Sequence, residues 1–228
     1  MDWFAPVRAY CERTDADFWA EPVNALSNAG FLIAAAAAAR RAARTAPPDR
    51  AGLVLSGLIA VVGIGSFLFH TLAVTWSMLA DVFPIALFIY AYFALALRRY
   101  LQLPAAAVVA VTAGFAAFGF LLTPVLGDIT GLDVSAATNG SVDYVPALLA
   151  LFGIAAATMS RPEARIAGTG WRLAGIGCLF LVSLAARTVD QAACTSLPTG
   201  THALWHILNA AVLYALVATA IRHRETAG

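Results

Sequence analysis

The sequence predicts an all-α integral membrane protein, a bundle of seven transmembrane helices, and three observations predict it. Of 228 residues, 61% are hydrophobic and 12% charged, against roughly 45–50% and about 25% in a soluble domain. Mean hydropathy is strongly positive. The apolar residues fall into seven runs, each near the ~20 residues that cross a bilayer as a helix, with short polar stretches between them. One bundle accommodates this length, so 1–228 reads as a single domain. All 14 basic residues are Arg. Without a Lys amine there is no Schiff base, which excludes a seven-span retinal protein. The net charge of +1, with no basic cluster outside the short loops, points to no nucleic-acid partner.

Residues 1–20 mix acids and arginines with Trp3, Phe4, Phe18 and Trp19 and suit an extracytoplasmic segment at the membrane interface. No uninterrupted apolar core follows a basic start, so no cleavable signal peptide is expected. The first span begins near Glu21-Pro22, where Pro suits a first helical turn. It passes Asn24, Ser27 and Asn28, enters the alanine run 34–39 and stops at Arg40, Arg41 and Arg44. The alanines make a slim helix that neighbours approach closely. Pro47-Pro48-Asp49-Arg50 reads as a loop. Span two covers 51–73 and span three 77–97, joined by a turn around Thr75-Trp76-Ser77. Span four covers 104–126, and the Gly-, Asp- and Thr-rich segment 127–142 reads as an exposed loop. Span five covers 143–159, a polar segment 160–170 leads to span six at 171–189, and residues 190–200 form a loop. Span seven covers 201–221 and leaves a polar tail at 222–228.

Orientation follows from the arginines. Threading seven spans places eleven of them on one side and only Arg8, Arg13 and Arg187 on the other, while ten of 13 acids sort the opposite way. The N-terminus is therefore expected outside and the C-terminus in the cytoplasm.

The chemistry-bearing residues are out of place in lipid. Ser66 and His70 are four apart and share a helix face, as do His202 and His206. Threading puts His70, Asp81, His202 and His206 at the outer ends of spans two, three and seven, in one slab of the membrane. Three imidazoles at matching depth can make a three-histidine zinc site with a fourth position for water. Zinc lowers the pKa of such a water to about 7. Asp81 is then placed to move a proton and Ser66 to steady an oxyanion. Blander readings stand beside this one. A lone intramembrane His is commonly a packing hydrogen-bonder, HxxxH alone suits helix packing or a porphyrin as well, and Asp81 could bond a helix backbone. A carboxylate deep in a span costs roughly 2.5–3.5 kcal/mol on insertion scales, which favours function.

Ser66-x-x-x-His70, Asp81 with Pro84, and His202-Ala-Leu-Trp-His206 resemble the signature of the alkaline ceramidases, members of a seven-span superfamily with the adiponectin and progestin receptors and the Per1-type proteins. Tyr10-Cys11-Glu12, the stretch from Phe18 to Asn28, and Asp190 with Cys194 extend the likeness over nearly the whole chain. The resemblance implies zinc on His70, His202 and His206, Asp81 as the proton carrier, and Ser66 at the oxyanion. It implies hydrolysis of an amide lipid such as ceramide to a fatty acid and a long-chain amine. A receptor-like or structural zinc protein, and a lipid-ester hydrolase, are the alternatives on the same scaffold.

The resemblance further implies a disulfide between Cys11 and Cys194 and a calcium site at Tyr10, Glu12 and Glu21. Ala9 and Thr14 stand where the family pattern has Asp and Asn, and a solvated acidic N-terminus is the alternative. The alanine- and arginine-rich composition points to a bacterial chain, with the site facing the periplasmic side of the inner membrane.

Overall fold

Local chemistry sets where each helix starts and stops. In a computed structural model, which describes residues 2–226 without the side chains of 164 and 165, the first span is two pieces, α1 (Pro22–Ser27) and α2 (Ala29–Ala43). The interruption falls where the Ser27 hydroxyl and the Asn28 amide both donate to the Asn24 carbonyl, at 2.7 and 2.9 Å. Side chains that take a backbone acceptor compete with the helix ladder. Helices α3 (Arg50–Leu72), α4 (Thr75–Arg99) and α5 (Ala105–Thr130) follow. After α5 come the short α6 (Val134–Ala137) and a 3₁₀ turn (Ser141–Tyr144) that runs into α7 (Val145–Met159). The chain ends with α8 (Ala164–Thr188), the short α9 (Asp190–Ala193) and α10 (His202–Glu225). Among the described residues seven stretches are long and apolar enough to span a membrane, α1 with α2 making one and the 3₁₀ turn with α7 another.

Four expectations need correction. The loop at 127–142 is largely ordered: α5 continues to Thr130, and α6 and the 3₁₀ turn take up most of the rest. The polar segment 160–170 is mostly the start of α8, and the polar tail is helical to Glu225. These last two meet each other, the Thr169 hydroxyl bonding His223 Nδ1 at 2.8 Å. Residues 227–228 of the predicted tail, and Met1, lie outside the described residues. The turn between spans two and three is only Ala73-Val74.

Helix α10 packs against α2, α3 and α8, while α3 pairs with α4 and α7 with α8. α5 sits at the periphery with no buried residue. Small residues set the spacing. Ala34, Ala35, Ala38 and Ala42 form the buried face of α2. A Cβ on Gly52 would lie 3.0 Å from Ala42 Cβ and 3.1 Å from Ile221 Cγ1. On Gly65 it would run into the Ala80 carbonyl oxygen. Pro84 has no N–H for that same carbonyl, so α3 and α4 approach where the α4 ladder is open, beside Ser66 and Asp81.

The two ends of the bundle differ. At the arginine-rich end, Asp49 caps α3 by accepting from Gly52 N at 3.1 Å and pairs with both Nη atoms of Arg99 at 2.8 and 3.1 Å. Arg99 also donates to the Ala220 carbonyl, tying α4 to α10. Burial raises the Asp49 carboxyl, but the bonds from Arg99 and Gly52 outweigh it and hold the group below its ordinary value. At the opposite end, Val7 N donates to Ala73 O and Thr75 N to Ala5 O, so the N-terminal segment lies across the α3–α4 turn.

Candidate metal centre

His70 stands two residues before the end of α3, and His202 and His206 occupy the first two turns of α10. Their ring centroids are 4.5–5.1 Å apart, and one ring nitrogen from each lies within 4.8 Å of the others. All three are buried.

Each ring is held from outside the cluster. Glu21 Oε2 takes His70 Nδ1 at 2.6 Å. Ser27 Oγ lies 2.7 Å from His206 Nδ1. Because the Ser27 proton already goes to Asn24 O, the hydrogen-bond pattern assigns Nδ1–H of His206 as the donor. In both rings Nε2 is then the nitrogen with the free lone pair. His202 stacks on Tyr10 at 3.5 Å between centroids. Its backbone N–H and that of Thr201 donate to Asp190 Oδ1, at 2.9 and 2.6 Å. Gly200 (φ +65°) makes room for this, since a Cβ there would collide with that oxygen. His70 Nε2 and His202 Nδ1 are buried with no hydrogen-bond partner. A buried polar atom left without a partner is rare and calls for a reason, and a metal ion is one. Three neutral imidazoles within reach of one another fit zinc, whose catalytic sites use three protein ligands.

Ser66 Oγ lies 3.5 Å from His206 Nε2, and the close approach of Gly65 to the backbone of Ala80 and Asp81 brings the buried Asp81 alongside. The structure thus gathers Ser66, His70, Asp81, His202 and His206 at one end of the bundle. The guanidinium of Arg187 lies 5.5–5.8 Å from the rings of Tyr10, Tyr144 and Trp205 and donates to Tyr10 Oη at 3.1 Å.

Cys11 and Cys194 form a disulfide, Cα–Cα 5.2 Å. It fastens the N-terminal segment to α9, and Cys11 N also donates to Asp190 Oδ2.

Of the three residues expected to hold calcium, Tyr10 is expected to offer only its backbone carbonyl, and the carboxylates of Glu12 and Glu21 are engaged elsewhere. Glu12 accepts from the backbone N–H groups of Val23 and Asn24 at 2.7 and 2.8 Å and so caps α1. Glu21 accepts from Arg13 with one oxygen and from His70 and Asn24 with the other. Burial would raise its carboxyl, yet the partners His70, Arg13 and Asn24 hold it below the ordinary value. Tyr10 packs its ring on His202, and burial pushes its phenol up, keeping it neutral. Calcium takes 6–8 oxygens, and this set does not fit it as it stands.

Sequence reasoning missed the roles of Arg13, Ser27 and Asp190 and the bond from Glu21 to His70. Only the polar character of Ser27 and Glu21 beside an apolar run signalled them.

These features define a seven-helix membrane protein with a buried trihistidine cluster flanked by a serine and an aspartate. A family model described as Ceramidase matches residues 9–227, and the chain belongs to that family. A comparison with curated proteins finds no match. Membership implies a hydrolase acting on the amide bond of ceramide.

Proposed function

We propose that this protein is a zinc-dependent intramembrane amidase that cleaves ceramide-like N-acyl lipids into a fatty acid and a long-chain amine. The observation that carries the reading is the pair of unpartnered buried ring nitrogens, on His70 and His202, beside His206. His70, His202 and His206 would hold the ion. Zinc, when bound, acts as a Lewis acid and generates a nucleophile from water near neutral pH. Asp81 takes the proton from the attacking water and returns it to the departing amine nitrogen. Ser66 donates its hydroxyl to the carbonyl oxygen as negative charge develops there. Glu21 and Ser27 keep two of the rings turned inward through their Nδ1 atoms.

An apolar cavity supports a lipid substrate. It is lined by Ile85 and Phe88 of α4, Phe115 of α5, Ile154 of α7, Leu173 of α8 and Leu213 of α10. Asn209, three residues beyond His206, also lines it, so an acyl chain there would bring its carbonyl toward the histidines. By the arginine asymmetry the site faces the outer side, the periplasmic one in a bacterial cell.

Fatty-acid release by the purified protein from matched amide and ester lipids tests this. Ceramide turnover is expected, with Asp81→Asn slowing it ~10²–10⁴-fold at unchanged zinc content. Zinc-loaded protein that turns over no lipid would make the ion structural, and turnover of esters alone would replace the amidase reading.

A further inference from the structure

Arg13 is a buried cation with an unusual set of partners. Its side chain is 2% exposed. Nε donates to Glu21 Oε1 at 2.6 Å. Nη2 reaches the carbonyl oxygens of His70 and Thr71 at 2.9 and 3.4 Å, and Nη1 those of Asp15 and Asp17 at 3.4 and 3.3 Å. One guanidinium thus gathers five oxygens, a carboxylate and four backbone carbonyls, from the N-terminal segment, the start of the first span and the end of α3. Carboxylates and carbonyls are the donors a calcium ion uses, but here the positive charge is covalently part of the chain.

We propose that Arg13 is a built-in cation that organises the N-terminal acidic segment in place of calcium, and that it is a positioning residue for His70. By fixing one oxygen of Glu21, the guanidinium leaves the other on His70 Nδ1 at 2.6 Å. By holding the His70 carbonyl, it also fixes the backbone at the same residue. A rigid planar fork suits this double task, where an ammonium would supply the charge alone. With Glu12 capping α1 and Arg13 filling the space beside Glu21, the segment offers calcium no cage. The positioning half of this proposal rests on the zinc reading of His70; the calcium half does not.

The test uses the full-length protein in detergent, with two readouts. Thermal melting is followed with added calcium and with a calcium-selective chelator, and zinc affinity is measured by competition with a chromophoric chelator well below the melting temperature. The wild type is expected to melt at the same temperature in both conditions and to bind no stoichiometric calcium. Arg13→Gln is expected to weaken zinc binding ~10–100-fold, the usual effect of losing a group that orients a metal ligand. If Arg13→Gln does not fold, Arg13→Lys carries the test, with zinc weakened and indifference to calcium kept. A wild type that binds one calcium and melts higher with it would overturn the built-in cation. Zinc affinity unchanged in the folded variant would overturn the positioning role. A wild type that binds no zinc would sink the zinc reading and the positioning role with it, leaving the melting comparison to judge the calcium half alone.

Discussion

A histidine serves a metal well only when its second nitrogen has a partner that fixes the tautomer and the ring. Here those partners come from the first span and not from the helices that carry the histidines: Glu21 for His70 and Ser27 for His206. The histidines themselves are legible in the sequence, because threading the spans brings three imidazoles from two helices to one depth of the membrane. Their partners are not legible, because the pairs are separated by 49 and 179 residues and nothing local links them. Ser27→Ala removes a small hydroxyl without emptying the core. It is expected to lower zinc affinity ~10–100-fold with little change in melting temperature, as read by chelator competition. An unaffected affinity would show that the His206 ring needs no help from Ser27.

Helix existence is set by apolar runs, and all seven spans appear near their predicted places. Their ends are set by partners elsewhere. The stretch 160–170 reads by composition as a polar segment ahead of span six, yet α8 begins at Ala164, where Thr169 can pair with His223 of a helix 54 residues on. The break at Asn28 likewise depends on two side chains converging on one carbonyl. Asp49 shows the same at the arginine-rich end, capping α3 while clamping α4 to α10 through Arg99. Its folded carboxyl is held below the ordinary value. The stabilisation it gives is therefore present above its unfolded pKa of about 3.9 and is lost as pH falls through the folded value. Asp49→Asn keeps the shape and removes the charge. It is expected to melt below the wild type near neutral pH, with the gap closing below about pH 4. A gap that does not depend on pH would assign the effect to the cap alone.

For the whole molecule, one end is built for electrostatic anchoring and the other for chemistry. Arginines ring the first, while the second gathers the trihistidine cluster, Ser66 and Asp81 under an N-terminal segment fastened by the Cys11–Cys194 disulfide. The arginine asymmetry predicts a cytoplasmic C-terminus. A fluorescent-protein fusion there should glow and an alkaline-phosphatase fusion should be inactive; the reverse pattern would invert the orientation. That ceramide hydrolysis runs through zinc on His70, His202 and His206 is most directly tested by titrating zinc into chelator-stripped protein while following fatty-acid release from ceramide. No release is expected from the stripped protein, with recovery that saturates at about one zinc per chain as a single trihistidine site requires, and none in His202→Ala. Full release from the stripped protein would contradict it.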